Sequence, residues 1–151
     1  MAKKDVATAS WDHNLIFWDL ELAGQTGMMP FTKSFTCLCV CPLSETIITG
    51  SVDPVIRLWD PRSKEGSLVK KSFVGHTGWI SSLCWKPDSD HIFMSASFDK
   101  SLKMWDIRSE KTSLYDLKGH SDRILCCDWS NKDYIVSGGA DSTIKVFKSR
   151  S

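Results

Sequence analysis

Apolar and polar residues alternate over short runs along this 151-residue chain, and glycine, proline or aspartate punctuates the gaps. A period of two sends successive side chains to opposite faces and marks half-buried strands. The pattern predicts strands at 5–10, 15–19, 35–41, 46–51, 55–60, 67–73, 80–85, 92–97, 102–106, 113–117, 123–129, 134–137 and 143–147. Residues 23–30 read as a loop or a weak outer strand, because Gly24, Gly27 and Pro30 break the run. Residues 62–66 read as a polar link. Strands this short and this evenly spaced predict an all-β protein.

The strands come in copies. An aspartate stands six residues before an aromatic ring four times: Asp12 with Trp18, Asp53 with Trp59, Asp99 with Trp105, and Asp141 with Phe147. The aspartates are 41, 46 and 42 residues apart. The third copy is the fullest, opening with Gly75-His76 and closing with Trp105-Asp106. A Gly-His opening and a Trp-Asp closing at a period of about 40–45 residues is the signature of a WD-repeat propeller blade. Repeats are therefore expected near 5–34, 35–74, 75–118 and 119–148. The first lacks its innermost strand and the last its outermost. Thr32-Lys33-Ser34 stands where the second should have Gly-His, and Phe147-Lys148 replaces Trp-Asp in the fourth. Pro54 is expected to fit the tight turn of the second repeat, since proline presets a turn φ. The expectation is about three and a half four-stranded blades of a seven-bladed propeller. Propellers close with roughly four to eight blades, so the chain reads as the back half of a longer one, either a fragment or a unit that pairs with another chain.

The repeat also explains the histidines. Asp99 can accept from the His76 ring, the ring can bond a serine of the second strand (Ser95 or Ser97), and that serine can accept the Trp105 indole N–H, which burial would otherwise orphan. Asp141, His120 and Ser137 repeat the set without an indole, and Asp53, Ser51 and Trp59 repeat it without a histidine. Asp12 and Trp18 keep the turn and the ring. A Ser–His–Asp set invites a hydrolase reading, but a nucleophile must be exposed beside an oxyanion site. These serines lie mid-strand and recur once per repeat, which favours a structural role. Cys37, Cys39 and Cys41 point to one face of a strand with no histidine near, and metal sites favour C-x2–4-C spacing, so they read as small buried hydrophobes. Cys126 and Cys127 point to opposite faces. His13 reads as a turn residue and His91 as a strand-edge residue.

A binding surface is expected on one rim. The residues before the turn aspartates include Trp11 and Phe98, and those entering the inner strands include Trp79 and Arg123. Aromatics and arginine are the usual hot-spot types. The competing reading has Trp79 packing into a neighbouring blade. Charge adds little: 19 Lys and Arg balance 18 Asp and Glu, so no global field points to nucleic acid or membrane. Lys64, Lys70, Lys71, Lys145, Lys148 and Arg150 are scattered and read as a solvated face rather than an RNA track. No apolar run spans a bilayer, the first residues carry no apolar signal segment, and six cysteines without a secretory signal read as reduced and intracellular. No cofactor, metal or small-molecule substrate is expected.

Several stretches together resemble one family. They are Ala9-Ser10-Trp11-Asp12-His13, Ile56-Arg57-Leu58-Trp59-Asp60-Pro61-Arg62, Gly66-Ser67-Leu68-Val69, His76-Thr77-Gly78-Trp79, Leu114-Tyr115-Asp116-Leu117 and Ser137-Gly138-Gly139-Ala140-Asp141. They are similar to the C-terminal propeller half of the WD-repeat ribosome-biogenesis family that joins Pescadillo-like and Bop-like proteins in the PeBoW complex. The resemblance covers essentially the whole chain. It implies a non-catalytic scaffold in the nucleolus and nucleoplasm, working on pre-60S particles and the maturation of rRNA precursors. That family also carries an N-terminal ubiquitin-like domain engaged by a giant AAA ATPase, and nothing in these residues matches it. Other WD-repeat adaptors, such as ubiquitin-ligase substrate receptors or targeting-signal receptors, remain the alternative.

The hydrogen-bond set makes a prediction at this stage. His76→Ala should destabilise the protein by ~1–3 kcal/mol, the cost of orphaned buried partners, and His13→Ala by much less. Equal melting shifts for the two variants would count against the set.

Overall fold

A computed structural model describes residues 5–61, 69–109 and 112–149. Among them are fourteen strands and no helix. They form four antiparallel sheets in chain order. The first contains β1 (Asp5–Ala9), β2 (Asn14–Asp19) and β3 (Gly24–Pro30). The second contains β4 (Phe35–Val40), β5 (Ile47–Ser51), β6 (Val55–Trp59) and β7 (Val69–Val74). The third contains β8 (Ile80–Trp85), β9 (Ile92–Ser97), β10 (Ser101–Asp106) and β11 (Tyr115–Lys118). The fourth contains β12 (Ile124–Asp128), β13 (Tyr134–Gly139) and β14 (Ile144–Lys148). Each sheet is one blade, a partial β-propeller as the repeat period implies.

Residues 23–30 resolve in favour of a strand: β3 pairs with β2 from Asn14↔Pro30 to Asp19↔Gly24, and a shift between Phe17 and Trp18 absorbs the glycines. The expected link at 62–66, and the first two residues of the strand expected at 67–73, lie outside the described residues.

The core lies between blades rather than within them. Leu15, Phe35, Ile47 and Trp59 join blades one and two. Ile48, Ile56, Phe73, Phe93 and Trp105 belong to the cluster between blades two and three. Cys84, Met94, Leu102, Ile124 and Trp129 fill the space between three and four. The central strand β5 is therefore buried on both faces along its whole length, and β9 from Phe93 to Ser97. That is why Ile47-Ile48-Thr49-Gly50-Ser51 reads as a continuous apolar or small run rather than a clean alternation.

Register slips at one place in all three innermost strands, between Phe35 and Cys37, Ile80 and Ser82, and Ile124 and Cys126. An extra residue here bends the strand and increases its twist. The residues opposite are small: Gly50, Ala96 and Gly138. A Cβ on Gly50 would lie 2.6 Å from both Cys37 Sγ and Ile80 Cγ2, so close approach demands glycine there.

The same strands carry an inter-blade clip absent from the sequence reading. The Thr36 hydroxyl donates to the Ile80 carbonyl at 2.5 Å, and the Ser81 hydroxyl donates to the Ile124 carbonyl at 2.6 Å. Each bond runs from one blade to the next. The corresponding residue of blade four is Leu125, which is exposed.

Removing a clip leaves a carbonyl short of a partner at a blade boundary. Ser81→Ala should therefore lower stability by ~1–2 kcal/mol in urea unfolding. Leu125→Ala should shift the midpoint far less.

Candidate functional site

Three turns hold the aspartates in one conformation. Ser10, Ser97 and Gly139 accept at their carbonyls from the amides of His13, Lys100 and Ser142, and those three residues take φ of 73°, 71° and 62°. The aspartate side chain caps each turn, with Asp12 accepting from the Asn14 amide, Asp99 from Ser101 and Asp141 from Thr143. Repeat two departs from this. Pro54 stands in sequence where His13, Lys100 and Ser142 take positive φ, which a proline ring forbids, and it has no N–H to close the turn. The ladder between β5 and β6 ends at Thr49↔Arg57, and residues 52–54 form a bend wider than the turns of the other repeats.

In repeat three the expected side chains meet. With the ring proton on Nδ1, His76 donates to Asp99 Oδ2 at 2.6 Å, and the Ser95 hydroxyl donates to His76 Nε2 at 2.7 Å. The Trp105 indole donates to Ser95 Oγ at 2.8 Å. Asp99 also accepts from the Thr77 amide at 3.0 Å and the Ser101 hydroxyl at 2.6 Å. Of the two serines left open, Ser95 holds the ring. Ser97 instead donates to the Gly78 carbonyl at 3.0 Å and accepts the Asp99 amide, fastening the turn to the entering loop. A Cβ on Gly78 would come within 2.8 Å of the Asp99 nitrogen, so only glycine lets the loop approach the turn this closely.

Repeat four has the same set. Asp141 accepts from His120 Nδ1 at 2.9 Å, and Ser137 meets His120 Nε2 at 2.8 Å. Phe147 replaces the indole donor. Burial raises the cost of ionising Asp99, but bonds from His76, Ser101 and the Thr77 amide outweigh it and hold the carboxyl well below its ordinary value. Asp141 is lowered in the same way against desolvation, by the Thr143 hydroxyl, the Ser121 amide and His120.

Repeat two is solved differently from the expectation. Trp59 donates to Thr49 Oγ1 at 2.8 Å, not to Ser51, which lies two residues further along β5. Asp53 has no histidine and is held by Arg57 through a two-pronged pair, at 3.1 Å from Nη1 to Oδ1 and 2.7 Å from Nη2 to Oδ2. The same guanidinium lies 4.6 Å from the centroid of the Phe31 ring. Arginine thus supplies from β6 the donors that histidine supplies from a loop elsewhere. In repeat one, Trp18 donates to Thr8 Oγ1 at 2.9 Å. The hydroxyls Thr8, Thr49, Ser95 and Ser137 all stand four residues before the turn aspartate, an offset present in the sequence that would have found each of them.

On the rim above these sets, Trp11, Trp79, Phe98 and Arg123 form one continuous row. Trp11 meets Trp79 edge to face with centroids 6.0 Å apart. Trp79 stacks on Phe98 at 5.8 Å and 17°. The Arg123 guanidinium covers Phe98 from 5.3 Å. Backbone pairing builds the row, since the amides of Phe98 and Ala140 donate to the carbonyls of Trp79 and Arg123. In repeat two the equivalent pair is Val52 with Ser34, which places no large ring on the rim. Trp11 is 63% exposed and Trp79 42%. Trp79 thus packs on Trp11 and Phe98 while part of its surface faces solvent.

The serines of the sets are not built for attack on a substrate. Ser95 is fully buried and Ser137 nearly so, and the Ser95 oxygen already receives an indole N–H. Among the described residues no group of three or more His, Cys, Asp or Glu is placed to hold a metal ion. No helix there is long and apolar enough to cross a membrane.

Antiparallel blades packed face to face, each with a turn aspartate six residues before an aromatic, define a repeat protein of the propeller class. The chain belongs to the WD-repeat family: the family model described as WD domain, G-beta repeat matches residues 28–60, 67–106 and 111–148. It is similar to proteins named ribosome biogenesis protein WDR12 homolog. The one from Brugia malayi is 61% identical over 145 residues, covering 96% of this chain and 34% of that protein. Those from Ixodes scapularis and Anopheles gambiae are 46% and 45% identical over 95% and 96% of this chain, again 34% of each relative. The chain thus spans about a third of the length of the curated relatives it matches.

The carboxylate bonds set an acid limit. A carboxyl whose folded pKa lies below its ordinary 3.8 stabilises the fold fully above that value and loses the contribution as pH falls towards the folded one. Melting temperature should therefore drop on acidification below about pH 4. Asp99→Asn should melt lower at neutral pH and lose less on acidification. An acid limb as steep as that of the unmodified chain would remove Asp99 from the cause.

Proposed function

We propose that this chain is the scaffold part of a ribosome-biogenesis protein, acting in the nucleolus and nucleoplasm on the large-subunit precursor. The repeats at 5–34, 35–74, 75–118 and 119–148 serve as blades of a larger propeller. The row of Trp11, Trp79, Phe98 and Arg123 carries the reading, because an exposed aromatic and cationic patch on rigid turns is the usual composition of a protein-binding hot spot. The names of the relatives support the cellular process. By the family resemblance, the partners are Pescadillo-like and Bop-like proteins within the pre-60S particle. No reaction is assigned to the chain: its Ser–His–Asp sets are buried and engaged in holding loops, which supports a scaffold over a hydrolase.

Trp79→Ala and Arg123→Ala, made together in the tagged protein in cells, test this. Both groups are solvent-facing, so folding should be nearly unchanged, while pre-60S proteins recovered with the bait should fall at least tenfold. Recovery of cullin or targeting-receptor components instead, with no pre-ribosomal proteins from the unmodified bait, would overturn the reading. Labelling of the folded chain by a fluorophosphonate serine probe would overturn the non-catalytic assignment.

A further inference from the structure

Two thiols meet where the innermost strands of blades three and four face each other. Cys84 on β8 and Cys127 on β12 have their sulfurs 3.5 Å apart. Both pack in the apolar cluster that joins these blades. Cys84 is buried and Cys127 half-buried, so Cys127 is the more accessible residue of the pair. The Ser82 hydroxyl donates to the Cys127 carbonyl at 3.3 Å, which fixes β12 against β8 at this level. The neighbouring thiols are placed differently. Burial pushes the Cys37 thiol up to about 12. Cys126 is exposed on the other face of β12, beside Gly138.

We propose that Cys84 and Cys127 form a peroxide-responsive thiol pair whose oxidation to a disulfide ties blade three to blade four. Either sulfur can donate the shared hydrogen to the other, and a hydrogen bond accepted from its neighbour favours the thiolate. Cys127, the less buried of the two, is the nucleophile, since the thiolate is the reactive form and must meet the peroxide. Its sulfur attacks one oxygen of hydrogen peroxide. An S–O bond forms, the O–O bond breaks, and hydroxide leaves. The Cys84 sulfur then attacks the sulfenic sulfur of Cys127. The S–S bond forms, the S–O bond breaks, and the second oxygen leaves as water with the Cys84 proton. The two sulfurs together lose two electrons. Peroxide, with the proton that Cys127 first released, ends as two waters. The bond closes a long loop between consecutive blades, so it restricts the unfolded chain and the blade boundary together.

The test treats the unmodified chain and Cys126→Ser, Cys127→Ser and Cys84→Ser variants with micromolar hydrogen peroxide. Remaining thiols are then blocked with N-ethylmaleimide and the digest is mapped by mass spectrometry without reductant. Circular dichroism establishes that each variant is folded. The unmodified chain and Cys126→Ser should yield one intrachain link between the peptides holding Cys84 and Cys127, lighter by two hydrogens than their sum. Dithiothreitol should remove it, and the oxidised form should melt several degrees higher. The other two variants should yield no such link. A link that persists in Cys127→Ser, a link found only between two chains, or sulfinic acid at Cys127 with Cys84 still free would overturn the proposal. The unmodified chain and Cys126→Ser carry the positive result, so a folding failure in either of the other variants leaves the test decisive.

Discussion

The burial of polar side chains between blades is the constraint on which the fold depends. A blade has apolar residues on both faces and becomes stable only when its neighbours cover them. Covering them also buries the indoles of Trp59 and Trp105, the ring of His76 and the hydroxyls of Thr49 and Ser95. Each must be paired on the spot, because a buried donor without an acceptor costs ~1–3 kcal/mol. One hydroxyl answers this in every repeat, four residues before the turn aspartate. It takes the indole in repeats one, two and three, and it meets the imidazole in three and four.

The repeats show how much of this set can be exchanged. Repeat four keeps the imidazole and loses the indole, so Phe147 leaves no N–H to satisfy. Repeat two loses the imidazole, and Arg57 takes its place from a different strand with two donors for Asp53. The requirement is that the turn carboxylate be held by a fixed cation or ring donor, and more than one side chain can meet it. The described residues of repeat one begin at β1. Its Asp12 is exposed and bonded locally to Ser10 and Asn14, with the Asn14 amide bond first among the causes that lower its carboxyl.

The rim inherits its rigidity from these sets. Trp79 and Phe98 share a backbone bond, Phe98 precedes Asp99, and Gly78 lies against the Asp99 amide. The aromatic row is thus mounted on groups already fixed by buried bonds, so a partner that docks there would not bear the cost of ordering a loop. The thiol pair between β8 and β12 lies on the innermost strands, in the seam between two blades. A covalent tie there would act on blade packing rather than on the rim chemistry.

The sequence by itself determined the all-β class, the repeat and its turns, because a two-residue period and a constant Asp-to-aromatic offset are local properties of the chain. It also placed Trp11, Trp79, Phe98 and Arg123 on one rim, since position within a repeat fixes the end of the blade on which a residue lies. It left Ser95 and Ser97 undecided, although the offset shared with Thr8, Thr49 and Ser137 distinguishes them. Tertiary structure alone decided the rest. Arg57 reaches Asp53 because their side chains meet across an opened turn. Thr36 and Ser81 clip to carbonyls 44 and 43 residues away. Cys84 finds Cys127 across a blade boundary. Contacts between blades depend on the register and twist of two separate sheets, and no short-range pattern in the chain encodes either.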